Sequence, residues 1–131
     1  MKTMSRNTIL WADDDYDDLQ LMQEVLGNKH SDFKIIEVHN GKEALDFLER
    51  SPDLPCLIIL DINMPVLDGK ETLSILKNTE KFKNIPVVMF TTSESELDKI
   101  YCSRFNTQMV TKPPTFNTLS TVLDKLLAFC R

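Results

Sequence analysis

With 131 residues, 42% of them apolar and 27% charged, the chain has the size and balance of one globular domain with its own core. Fifteen basic residues against twenty acidic ones give a net charge of −5, which argues against broad binding to nucleic acid or to an anionic membrane surface. Three cysteines, odd in number, far apart and without a C-x-x-C pair, predict neither a disulfide framework nor a zinc site, and point to a reducing compartment.

The stretch Met1–Asn7 is polar and lacks a signal peptide's apolar core, and no apolar run is long enough to span a bilayer. The first strand-length run is Ile9–Ala12, followed by Asp13, Asp14, Asp15, Asp17 and Asp18 within six positions. Such crowding is repulsive unless a cation or a helix N-terminus relieves it. Leu19, Met22 and Leu26 then mark one face of a helix. A second run, Phe33–Val38, precedes a helix marked by Ala44, Leu45 and Leu48. The third, Cys56–Leu60, ends at Asp61; the Asp68-Gly69 turn leads into a helix marked by Thr72, Leu73 and Leu76. The fourth is Ile85–Phe90, with Pro86 at its opening and Thr91-Thr92 at its end. Ser93 or Ser95 can cap the next helix, whose predicted apolar face is Leu97, Ile100, Tyr101 and Phe105. A weaker run, Gln108–Thr111, leads to Lys112, and the last helix carries the stripe Leu119, Val122, Leu123, Leu126, Leu127 and Cys130.

Near-continuous apolar strands alternating with amphipathic helices predict an α/β fold: five βα units forming a parallel, doubly wound sheet with helices on both faces. Ligands in such sheets bind beyond the carboxyl ends of the strands. Four segments deliver carboxylates, a hydroxyl and an ammonium to that edge: Asp13 and Asp14, Asp61, Thr91, and Lys112. Hard oxygen donors of this kind suit Mg²⁺. A carboxylate such as Asp61 can attack phosphorus to give an acyl phosphate, while Lys112 and Thr91 can stabilise the oxygens of the transferred group. The plainer alternative for the aspartates is a helix-capping first turn, and Asp17 and Asp18 are expected to be merely solvated. His30 and His39 are expected at the surface or at strand ends, and Trp11 in the core.

The segments Ile9–Asp15, Leu60–Pro65 with Asp68-Gly69, Pro86–Thr92 and Thr111–Pro113, in this order and spacing, resemble the receiver domains of two-component response regulators. The resemblance implies a flavodoxin-like sheet of order 2-1-3-4-5 with five helices. It implies Asp61 as phosphoacceptor, and Asp13, Asp14, Asp61 and the Asn63 backbone carbonyl as Mg²⁺ ligands. Thr91 would be the switch hydroxyl, Lys112 the phosphoryl contact, and Lys112-Pro113 a cis peptide. The implied phosphodonor is a sensor histidine kinase or a histidine phosphotransfer protein. An unnamed downstream protein would bind the surface of helix four, strand five and helix five, in the cytoplasm, without direct contact with nucleic acid or membrane. Met109 stands where the family often has Tyr or Phe, and Thr92 where it often has Ala or Gly. The whole chain, 1–131, is expected to be a single receiver domain with no output domain, and not an enzyme beyond slow self-dephosphorylation. Competing expectations are a degenerate receiver that binds partners without phosphorylation, an aspartyl-nucleophile phosphohydrolase, for which Asn63 replaces the required second acid, and a flavodoxin-like electron carrier, for which the phosphate loop is missing.

Overall fold

The computed structural model describes residues 2–29, 32–112 and 116–130. In chain order the elements are β1 (Thr3–Met4), β2 (Thr8–Ala12), α1 (Tyr16–Lys29), β3 (Lys34–Val38), α2 (Gly41–Arg50), β4 (Asp53–Leu54), β5 (Leu57–Leu60), α3 (Gly69–Lys77), β6 (Val87–Thr91), α4 (Glu96–Arg104), β7 (Gln108–Thr111) and α5 (Phe116–Leu126), closed by a 3₁₀ turn at Leu127–Cys130. The five main strands are parallel and lie in the order β3-β2-β5-β6-β7, which is the expected 2-1-3-4-5 arrangement. Sequence periodicity missed β1 and β4, a two-residue parallel pair at the sheet's lower rim (Thr3 opposite Asp53), because strands this short carry no repeat.

Side chains alternate along each central strand, so the sheet divides the core in two. Leu10, Ile58, Leu60 and Met89 point toward α2, α3 and α4, where Ala44, Leu48, Leu73 and Leu76 meet them. Ile9, Trp11, Leu57, Ile59 and Phe90 point toward α1 and α5, onto Leu19, Met22, Leu123 and Leu126. Trp11 is fully buried, as expected, and meets the Phe90 ring edge to face at 5.4 Å. Pro86 sits just ahead of β6, where its carbonyl accepts from the Ile58 N–H at 2.9 Å and no donor is asked of it.

Two expectations are corrected here. The α4 face that turns inward carries Asp98 and Cys102, flanked by partly buried Tyr101 and Phe105, whereas Leu97 (76% exposed) and Ile100 (51%) point outward. Hydrophobic spacing misplaced this face because a paired carboxylate occupies a core-facing position. Second, Cys56 and Cys130 form a disulfide across 74 residues, with Cα atoms 5.0 Å apart. Spacing along the chain hid this pair, since it is the sheet that brings the start of β5 under the end of the final turn. Cys102 is a buried free thiol whose pKa burial pushes up. Among the described residues no helix is long and apolar enough to cross a membrane. The predictions for His30 and for the Lys112-Pro113 bond fall on residues outside those described.

Closing so long a loop removes freedom chiefly from the unfolded chain. Reduction, or Cys130→Ser, should therefore lower the unfolding free energy by about 2–4 kcal/mol. Urea unfolding with and without reductant measures it, and an unmoved midpoint would deny the bridge any stabilising role.

Candidate functional site

The carboxyl ends of β2, β5, β6 and β7 converge. β2 hands the chain to Asp13, whose N–H reaches the Val38 carbonyl (3.0 Å) and whose side chain is fully buried. The Asp61 N–H donates to the Ala12 carbonyl at 2.9 Å, which fixes the acid after β5 beside the acid after β2. Thr91 ends β6, wholly buried, and its carbonyl accepts from the Lys112 N–H at 2.8 Å, so the β6–β7 register carries Lys112 to the same edge.

The side chains complete the arrangement. The Lys112 ammonium lies 2.7 Å from Asp13 Oδ2, 2.9 Å from Asp18 Oδ2 and 3.3 Å from Asp61 Oδ2. Burial opposes its charge, but the carboxylates outweigh burial and raise its pKa. Asp13 is pushed up to about 6, first by burial and further by Asp61, with the Lys112 ammonium and the Asp15 N–H pulling the other way. Asp13, Asp14 and Asp61 can each offer an oxygen, all within 4.8 Å of one another, with Asp14 exposed and the other two buried. This all-oxygen set, in which burial makes lone negative charge costly, fits a hard divalent cation. Asn63 is exposed, and its N–H donates to Asp61 Oδ1 at 3.4 Å.

The aspartates after β2 divide into separate jobs. Asp15 caps α1, its Oδ1 accepting from the N–H groups of Asp17 (3.0 Å) and Asp18 (3.2 Å). Asp17 is exposed, as expected. Asp18 is not merely solvated: it reaches inward to Lys112, which corrects the sequence reading. Its place one helical turn before the buried Met22 was the available signal. His39, just past β3, stacks on Tyr16 (ring centres 4.6 Å) and lies 3.2 Å from Glu43, a surface role as predicted.

A second set of contacts runs from Asp61 to α4. Gly69 opens α3 against the strand end: its N–H donates to the Ile62 carbonyl at 2.9 Å, and a Cβ there would lie 2.2 Å from the Asp61 carbonyl oxygen. Only glycine permits that approach. Asp68 caps α3 with Glu71 completing a capping box. Lys70, in the first turn of α3, pairs with Asp98 of α4 at 2.8 Å, and Asp98 also accepts from the Ser93 hydroxyl at 2.7 Å. The Ser93 N–H returns to Thr91 Oγ1 at 3.2 Å, and the Tyr101 hydroxyl donates to the Lys70 carbonyl at 2.8 Å. Ser95, rather than Ser93, caps α4. Sequence reading did not find the Lys70–Asp98 pair, whose members lie 28 residues apart.

Lys70, then Ser93, holds the Asp98 carboxyl below its usual range. A carboxyl depressed in the fold stabilises above its unfolded pKa and loses that contribution as pH falls through the folded value. Asp98→Asn should therefore be less stable than the parent at pH 7, with the gap closing as pH drops below about 4. Thermal melts of both proteins across that range test it; a gap independent of pH would remove the ion pair from the account.

The profile of the response regulator receiver domain family matches residues 9–124. Response regulator Rcp1 of Synechocystis sp. is 39% identical over 97 residues, 70% of this chain and 66% of that protein. Transcriptional regulatory protein CpxR of Escherichia coli (strain K12) is 39% identical over 94 residues, 72% of this chain but 37% of that protein, so the chain spans under two thirds of these relatives. The crystal structure of the phosphorylated cyanobacterial phytochrome response regulator RcpA superposes with a TM-score of 0.86 at 29% identity, covering 95% of this chain and 94% of that one. The Mn(2+)-bound form of Rcp1 superposes at 0.83 and 32% identity, covering 94% and 93%. On profile, identity and fold together, the chain belongs to the response regulator receiver domains of two-component signalling.

Proposed function

We propose that this receiver is a phosphorylation-controlled switch whose acceptor is Asp61. The observation that carries the reading is the Lys112 ammonium resting between Asp13 and Asp61, 2.7 Å and 3.3 Å away, at the sheet edge where the buried Thr91 ends β6. An Asp61 carboxylate oxygen attacks the phosphorus of a phosphohistidine, the phosphorus–nitrogen bond breaks, and its electron pair leaves with the imidazole. Asp13, Asp14, Asp61 and the Asn63 carbonyl would hold Mg²⁺, which when bound neutralises charge between the acceptor and the phosphoryl oxygens. The Mn(2+)-bound Rcp1 structure supports a divalent ion in this family. Lys112 turns toward the new oxygens and Thr91 donates its hydroxyl to them.

The added charge of roughly −1.5 to −2 then selects one arrangement of the loops after β6 and β7. Movement of Thr91 is passed through Ser93 to Asp98, and so to α4 with its exposed Leu97 and Ile100. In this reading the α4–β7–α5 surface meets a downstream protein, or the phosphoryl group passes on. The donor is a sensor histidine kinase or histidine phosphotransfer protein, and the chain works as a single receiver domain in the cytoplasm. There, thiol reductants would compete with the Cys56–Cys130 bond.

Intact-mass measurement after treatment with acetyl phosphate and Mg²⁺ should show one metal-dependent phosphoryl adduct, absent from Asp61→Asn. An adduct retained in Asp61→Asn would defeat the assignment. In Lys112→Ala, phosphorylation should no longer shift the α4 amide signals in NMR, and a parental response would remove Lys112 from the switch.

A further inference from the structure

Three carboxylates share the Lys112 ammonium, but only two of them belong to the oxygen cluster that fits a cation. Asp13 and Asp61 lie in that cluster; Asp18 does not. A divalent ion drawing on Asp13 and Asp61 takes up charge from two of the carboxylates that hold Lys112, and repels its ammonium. The Lys112 side chain is only 10% exposed, so an ammonium stripped of its partners there would be strongly disfavoured. Asp18, on the first turn of α1 and 32% exposed, meets the same ammonium at 2.9 Å.

We propose that Asp18 is a positioning residue for Lys112: it keeps the ammonium in the pocket when Asp13 and Asp61 turn to the cation, and so makes the site's two cationic occupants compatible. The inference rests on the metal-dependent reading above and deepens it. Without Asp18, Lys112 must either hold Asp13 and Asp61 against the ion or leave the pocket. Asp17 supplies the control, since it lies on the same helical turn, is exposed, and loses the same formal charge when changed to Asn.

Calorimetric Mg²⁺ titrations of the parent, Asp18→Asn, Asp18→Glu and Asp17→Asn carry the test, together with the NMR signal of the Lys112 side-chain ammonium. Asp18→Asn should weaken Mg²⁺ binding roughly 10- to 100-fold, the range for a residue that orients a metal site from outside it. Asp17→Asn should change it far less, and Asp18→Glu should recover most of the loss. In the parent, the ammonium signal should persist when Mg²⁺ is added; in Asp18→Asn it should then be lost to rapid exchange with water. Equal losses in Asp17→Asn and Asp18→Asn would reduce the effect to bulk charge and overturn the inference alone. So would an ammonium signal in Asp18→Asn that survives Mg²⁺. A parent that takes up no Mg²⁺ would overturn the metal-dependent reading, and this inference with it.

Discussion

The site is organised by one buried ammonium among three carboxylates. Asp13 and Asp61 could not stand together at a dry sheet edge without a positive charge between them, and in the structure Lys112 supplies it. The demand is electrostatic, but its solution is topological. Lys112 lies 99 residues from Asp13 and 51 from Asp61, and only a parallel sheet of this order brings their strand ends to one edge. Burial pushes the Asp13 carboxyl up by more than the Lys112 ammonium pulls it down.

Rigid packing and adjustable polar contacts occupy different parts of the molecule. Below the site, β2, β5 and β6 are buried on both faces by residues that alternate between two apolar layers. Such interiors resist gradual deformation, so a change at the edge is passed on by elements that move as units. Above, the links are hydrogen bonds and ion pairs: Lys112 with its acids, and Thr91, Ser93, Asp98 and Lys70 in sequence toward α4. Such polar contacts can be redirected to new partners when charge is added, whereas the close seat of Gly69 against Asp61 admits no such freedom. A charge added at Asp61 thus meets a fixed floor and a rearrangeable rim.

α4 shows the price of reading amphipathicity by residue type alone. Its outward face carries Leu97 and Ile100 while its inward face carries Asp98, because Asp98 has two partners that make its burial tolerable. Exposed apolar side chains on an element tied to the site by polar contacts suit a surface whose presentation changes. A helix held by apolar packing alone would be less easily shifted.

What the sequence by itself determined is everything carried by local pattern. Strand-length apolar runs, helix periods and the residues just after each run were enough for the α/β class and for the convergence of Asp13, Asp14, Asp61, Thr91 and Lys112, because in a parallel sheet the strand end is a predictable place. The sheet order came with the family resemblance rather than from the pattern. Only the tertiary structure decided the pairings between distant residues. Asp18 looked like one more acid on a wet first turn until Lys112 was placed beside it; the pairing of Lys70 with Asp98, 28 residues apart, left no local sign and exists only because α3 and α4 meet. Cys56 and Cys130 looked unrelated until the final turn packed under β5. Periodicity records which way a side chain faces along its own element, but the partner it finds there is set by elements folded from elsewhere in the chain.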